Sequence, residues 1–239
     1  MHFLEKAKDH YLKLVADSDL HMATGEYGKR VAKQCKLSPD GWFQMAFQLA
    51  WHRLYKIPVL TYEAATTRMF YQGRTETIRP VSEYSEQFVR AFDDPSVSVE
   101  DKKQLLKKAI SVQERNKFLA MRGQGFDRHL FGLYLMAKYL KLDPFPAFLN
   151  GNAFAFRLST SQTPTRQTGN WYEEKCAQGG GFGTVMEDGY GVSFMFIGED
   201  RTTISVRSKK SHPFTDTDTY KKAIFAAARD MREMFAPSS

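Results

Sequence analysis

The sequence predicts a mixed α/β domain, and three observations carry that expectation. Helical patterns fill the first 140 of the 239 residues. Strand-like stretches separated by glycine turns fill the last third, and one further helical pattern closes the chain. Helices first, strands later and a closing helix describe a mixed β-sheet flanked by helices. At roughly 150 residues per domain the length allows one large domain or two small ones, enough chain to bury a sizeable core.

Residues 3–36 read as helix, with Leu4, Leu12, Leu14 and Val15 recurring at near-helical spacing among charges. Ser38-Pro39-Asp40 opens a second helix: Ser38 caps it, Pro39 fits its first turn, and Asp40 suits the positive end of its dipole. The i, i+4 series Phe43, Phe47, Trp51, Tyr55 favours helix over strand, and Lys56-Ile57-Pro58 ends it. Val59 to Tyr62 is a short strand, followed by a loop through Gly73, Arg74 and Thr77 to Pro80. Ser82 to Phe92 is a helix stopped by Asp93-Asp94-Pro95. Ser98 opens a long helix, acids early and lysines after, running to Met121. Gly123 and Gly125 break the chain. Phe126 to Leu140 is a helix closed by Asp143-Pro144. Phe154 to Thr160, Tyr190 to Ile197 and Thr202 to Ser208 read as strands, with turns at Gly179–Gly183 and Asp188-Gly189. The last helix covers Asp218 to Phe235.

Apolar residues make 42% of the chain and charged residues 26%, which argues against disorder. Lys and Arg number 34 against 27 acids, a net +7 that favours an anionic partner: nucleic acid, a phosphorylated cofactor or a membrane surface. Nucleic acid would call for a basic patch interleaved with aromatics, and none is visible. Two cysteines, Cys35 and Cys176, make no disulfide framework. The longest apolar run, Gly41 to Trp51, contains two Gln and is too short to span a membrane. Glu5, Lys6, Lys8 and Asp9 rule out a signal peptide at the start, so the chain as given is expected to be soluble.

Several polar strings stand out. Thr61-Tyr62-Glu63 and Gly73-Arg74-Thr75-Glu76-Thr77 bring hydroxyls and an Arg to one loop region. Leu158-Ser159-Thr160-Ser161 sets three hydroxyls at the end of an apolar strand, and Phe126-Asp127-Arg128-His129 opens a helix. Each alone is explained by turn chemistry, capping or an N-terminal acid. Lys29 and Lys33, four apart on one helical face, read alone as a solvated face.

Together and in order these strings resemble the carnitine/choline acyltransferase family over nearly the whole chain. The matching pieces are Lys29 to Lys33 with Leu37-Ser38-Pro39-Asp40, then Thr61-Tyr62-Glu63, then Gly73 to Arg79. Gly125 to Leu130, Leu158 to Gln162, and Gly181-Phe182-Gly183 with Asp188-Gly189-Tyr190-Gly191 complete the series. The wording of Leu158 to Pro164 and Gly179 to Gly183 is most similar to the palmitoyl branch, outer-membrane type.

The resemblance implies a CoA-dependent acyltransferase-type fold, with this chain as the C-terminal half of a two-domain enzyme whose tunnel lies between the halves. Residues 1–58 form a helical leading segment with the CoA lysines, and residues 59–239 the carnitine-binding domain. The family moves acyl groups between CoA and carnitine. Tyr62, Thr75 and Arg128 match its carboxylate-binding trio, and a guanidinium with two hydroxyls suits a carboxylate. Phe182 matches the aromatic residue beside the quaternary ammonium, a cation without N–H that needs aromatic faces. The choline-specific relative departs at the positions of Thr75 and Arg128, so carnitine is expected.

Ser161 resembles the hydroxyl that stabilises the tetrahedral oxyanion, Ser159 belongs to the same motif, and Thr160 alternates away as a structural residue. Lys29 and Lys33 match phosphate contacts of CoA, and Asp40 lies beside its adenine end. Gly180 and Gly181 replace bulk at the floor of the acyl pocket, which implies medium or long acyl chains. CoA enters as cosubstrate; no permanent cofactor and no metal is expected.

The family's general base is a histidine in a segment upstream of this chain. His2, His10, His21, His52 and His212 lie outside the motifs, and His129 takes a structural place beside Arg128. The chain is therefore expected to be inactive alone, with the N-terminal half as its partner. The alternative is a truncated, non-catalytic relative that binds CoA, carnitine or a protein partner. By resemblance the location is mitochondrial, on the cytosolic side of the outer membrane, with any membrane association left to segments absent here.

Overall fold

Four helices begin on side chains that accept a backbone N–H. Ser38 accepts from Gly41, Ser82 from Ser85, Ser98 from Asp101 and Asp216 from Thr219. Each such cap is typically worth about 1 kcal/mol. They fix the starts of α3 (Pro39–Tyr55), α4 (Glu83–Phe92), α5 (Val99–Met121) and α7 (Thr217–Glu233) in a computed structural model that describes residues 2–142, 152–164, 177 and 179–236. The other helices are α1 (His2–Asp17), α2 (Lys29–Gln34) and α6 (Asp127–Tyr139).

Six strands form one mixed sheet: β1 (Ser18–Gly25), β2 (Thr61–Thr66), β3 (Thr75–Ile78), β4 (Leu158–Gln162), β5 (Tyr190–Ile197) and β6 (Arg201–Lys209). Their order across the sheet is β1-β6-β5-β4-β2-β3. β2, β4 and β5 run parallel, and the antiparallel strands flank them. The mixed sheet flanked by helices is the expected fold class.

One face of the sheet carries the core. α3 is buried along Asp40–Trp51 and lays Phe43 and Phe47 against Phe194 and Phe196 of β5, with ring centroids 5.4 to 5.8 Å apart. α7 packs beside it, where Tyr220 donates its hydroxyl to the Phe47 carbonyl. Gln44 and Gln48 of α3 reach across to Thr160 and Thr61, pairing the buried hydroxyls of β4 and β2. Thr160 is thereby a packing residue, as its alternation suggested.

Three expectations are corrected. Residues 3–36 are not one helix: Ser18–Gly25 alternates half-buried and exposed side chains and pairs antiparallel with β6. Leu20 and Met22 sit on one face of that edge strand and Asp19, His21 and Ala23 on the other, a period of two hidden among helix-like charges. The leading segment is thus part helix and part strand. The loop expected from Gly73 to Pro80 contains β3, since Thr75-Glu76-Thr77-Ile78 pairs with β2. The strand expected from Phe154 begins at Leu158, after a 3-10 turn at Asn152–Phe154. Asp143-Pro144 and Cys176 lie outside the described residues, among which no helix is long and apolar enough to cross a membrane.

Candidate functional site

The sheet opens between its parallel strands. β2 pairs with β4 only over Thr61–Glu63 against Leu158–Thr160. Beyond that, β2 continues beside β3 to Thr66 and β4 continues beside β5 to Gln162. The diverging strands leave a groove of about 400 Å³ lined by Glu63, Thr66, Thr75, Ser161, Gln162 and, below, Asp40 and Lys117. A split beyond the carboxyl ends of parallel strands is where open α/β sheets take ligands.

A buried polar network floors this groove. Gln113 of α5 donates from one amide nitrogen to Glu63 at 2.7 Å and to Asp40 at 3.3 Å. Lys117 holds the same Asp40 oxygen at 3.0 Å and also contacts Glu114. Through that shared amide the carboxyls of Glu63 and Asp40 are held close together. Burial, then the Asp40 charge, pushes the Glu63 carboxyl well above the usual carboxylate range. Asp40 Oδ1 is buried with no hydrogen-bond partner among the described residues.

The other face of the sheet carries a second cavity, of about 320 Å³. Tyr62, Thr77, Arg128, Ser159, Phe131, Phe154 and Phe156 are among its walls. The Arg128 guanidinium, Nη2, donates to the Tyr62 hydroxyl at 3.3 Å. Tyr62 also stands edge-on to the Phe156 ring at 5.5 Å. The register aligns Tyr62, Ser159 and Gly191 in one row across β2, β4 and β5, so their side chains share this face. Phe182 lies over Gly191: a Cβ there would stand 2.9 Å from the Phe182 carbonyl and 3.2 Å from its ring. The next row on this face is Ser161, Ser193, Ser205 and Met22. Gly181 crosses over Ser205, whose buried hydroxyl has no partner among the described residues.

Lys29 and Lys33 do share a face of α2. Both point at one carboxylate, Glu199 in the β5–β6 turn, at 3.3 and 2.8 Å. Arg30 pairs with Asp200 beside it. Hydrogen bonds from Lys33 and then Lys29 hold the Glu199 carboxyl below its usual range. Because β2, β4 and β5 are parallel, the groove and this turn lie at the same edge of the sheet.

The Choline/Carnitine o-acyltransferase family model matches residues 2–226. The chain belongs to that family. It is 40% identical over 231 residues to human carnitine O-palmitoyltransferase 1, liver isoform, covering 95% of this chain and 30% of that protein. The human muscle isoform is 41% identical over 214 residues, covering 87% and 28%. Rat carnitine O-acetyltransferase is 36% identical over 236 residues, covering 97% and 36%. The chain thus spans about a third of the length of these family relatives.

Against the family trio, the structure brings Tyr62 and Arg128 together but sets Thr75 elsewhere. Thr75 pairs with Thr66, four residues along β2 from Tyr62, and lines the groove with Ser161. The threonine that walls the Tyr62–Arg128 cavity is Thr77, whose strand partner is Ala64. Thr75 and Thr77, two apart, share one face of β3. Ser159 lines the cavity and Ser161 the groove, so the Ser-Thr-Ser string straddles the two. Asp40 lies in the groove floor, and a Cβ on Gly180 would have no heavy atom of the described residues within 4 Å. His129 is exposed on α6 and lines neither space.

Proposed function

We propose that this chain supplies the carnitine and CoA sites of an enzyme that transfers acyl groups between CoA and carnitine. The observation that carries the reading is the cavity where Arg128 meets Tyr62 among three phenylalanines. Carnitine is a zwitterion. A guanidinium with a tyrosine hydroxyl fits its carboxylate, and aromatic faces fit its quaternary ammonium. The groove between β2 and β4 accommodates the linear arm of CoA, with Lys29 and Lys33 at the same sheet edge for its phosphates. The chain is read as one domain, residues 1–58 bearing those lysines and 59–239 the carnitine site.

In the transfer, a base takes the carnitine hydroxyl proton as that oxygen attacks the acyl-CoA thioester carbonyl. The Ser161 hydroxyl donates to the tetrahedral oxyanion, a role typically worth about 2.7 to 4 kcal/mol. The CoA thiolate then leaves and recovers the proton, completing an acylcarnitine and free CoA. The base in this reading is a histidine from another part of the protein, which also carries any membrane address at the mitochondrial outer surface. The open space at Gly180 supports medium or long acyl chains. A second reading, a non-catalytic binder of CoA or carnitine, is favoured by one observation: among the described residues no histidine lines either space.

Calorimetric titration separates these. L-carnitine is expected to bind more tightly than choline, and Arg128→Ala to erase the difference while leaving CoA binding intact. Equal binding of the two ligands by the wild-type chain refutes the carnitine site. Turnover of palmitoyl-CoA with carnitine by this chain alone refutes the external base.

A further inference from the structure

The string Gly73 to Arg79 contributes more than the threonines that face substrate. β3 alternates: Thr75 and Thr77 take one face, and Glu76 and Ile78 the other. Glu76 is nevertheless a buried acid, 8% exposed, at the edge of the sheet. Its Oε1 accepts the Thr77 amide at 2.7 Å and the Arg128 amide at 3.1 Å. Arg128 is the second residue of α6, so this carboxylate accepts one of the free N–H groups of the helix's first turn. α6 has no other side-chain cap: Phe126 stands at the cap position and offers none.

The neighbouring residue of the first turn is tied to the same strand end. Asp127, buried, accepts from Arg79 Nε. Arg79 also donates to the Ala153 carbonyl at 2.9 Å and lies over the Phe154 and Phe156 rings, two walls of the cavity. The space for Glu76 is shaped to it. A Cβ on Gly125, two residues before α6, would stand 2.4 Å from Glu76 Cγ. Glu76 and Arg79 thus grip α6 from behind, while Thr77 and Arg128 face the cavity.

We infer that Glu76 is a positioning residue of the cavity: its buried carboxylate fixes the first turn of α6 and, through it, the place of the Arg128 guanidinium. The inference rests on the carnitine reading of that cavity. Arg128 itself is an exposed side chain that, among the described residues, makes one side-chain hydrogen bond to a side chain, to Tyr62. Its reach therefore depends on where its backbone stands. The carboxylate also satisfies Thr77's amide, so one acid sets two of the cavity's polar walls.

The test reads the ratio of L-carnitine to choline affinity by calorimetry, since only the carboxylate-bearing ligand uses Arg128. Glu76→Ala removes the acceptor, and Gly125→Ala displaces the carboxylate without removing it. Each is expected to lower that ratio by about tenfold or more, the typical worth of a lost hydrogen bond to a charged group. Glu76→Gln keeps an acceptor oxygen and should restore most of it. Thermal melts accompany each variant, and Gly125→Ala and Glu76→Gln decide the matter if Glu76→Ala fails to fold. A ratio unchanged in Gly125→Ala, with Arg128→Ala abolishing it, overturns the positioning role and leaves the carnitine reading standing. A ratio unchanged in Arg128→Ala overturns both.

Discussion

Glu199→Gln should make this chain bind CoA more tightly. In the structure Lys29 and Lys33 are both engaged by the two oxygens of that one carboxylate, at 3.3 and 2.8 Å. A CoA phosphate reaching those lysines has to displace it. The Lys29 side chain is only 16% exposed and that of Lys33 54%, so one pair is partly shielded and the other is open to water. Pairs of this kind contribute at most about fivefold each to an equilibrium constant. The neutral isostere, with both pairs weakened, should gain about three- to tenfold in CoA affinity at low salt. The gain should shrink between about 0.01 M and about 0.1 M salt, as the Debye length falls from ~30 to ~10 Å. Calorimetry with CoA and with CoA lacking its 3′-phosphate measures this. The double variant Lys29→Ala, Lys33→Ala should weaken CoA and flatten the salt dependence. Glu199→Gln affinity equal to or below wild type would refute the reasoning.

Three further outcomes are expected. The folded chain holds the Glu63 proton to higher pH than the unfolded chain, because burial and then Asp40 raise its carboxyl. This group therefore stabilises the fold below the ordinary carboxylate pKa, and the contribution is lost as pH rises through the raised folded value. Glu63→Gln should flatten the decline in stability toward alkaline pH, and urea denaturation across acid, neutral and alkaline buffers would expose an unchanged slope. Phe194→Ala opens a hole among Phe43, Phe47 and Phe196 and should cost about 3 to 5 kcal/mol in the same denaturation experiment. A Cβ at Gly180 meets no atom of the described residues within 4 Å, so in Gly180→Met the melting temperature should hold. In the complete enzyme that variant should favour short over long acyl-CoA; undiminished palmitoyl transfer would count against the acyl-pocket reading.

The helices were the most legible part of this chain, for physical reasons visible at single positions. Ser38, Ser82 and Ser98 announce their helices because a hydroxyl that satisfies a free N–H is a local device. The Phe43–Phe47–Trp51–Tyr55 series is equally local. β1 escaped because its partner β6 lies far along the chain and its charges mimic a helix; β3 escaped because its four residues look like turn chemistry. In the site, Tyr62 and Arg128 were readable as motif residues. That Thr75 lines the groove and Thr77 the cavity was not, since it depends on the register of β3 against β2. Nor was the carboxylate that meets Lys33, which stands 166 residues away. The roles of Glu76 and Gln113 come from burial, a property that no spacing rule reveals.

The pairing of β1 with β6 has a consequence for how the molecule is made. Thr24 and Thr203, bonded hydroxyl to hydroxyl, are separated by 179 positions in the chain. During synthesis β1 leaves the ribosome first among the strands and then waits for β6 before it has anything to pair with. Contacts this remote are slow to form and leave a strand edge unprotected in the interval. β5 and β6, joined by a tight turn, are free to form their ladder early and to stack Phe194 and Phe196 on α3. β1 would then be the last strand laid down, leaving the backbone of β6 as an open edge until it arrives.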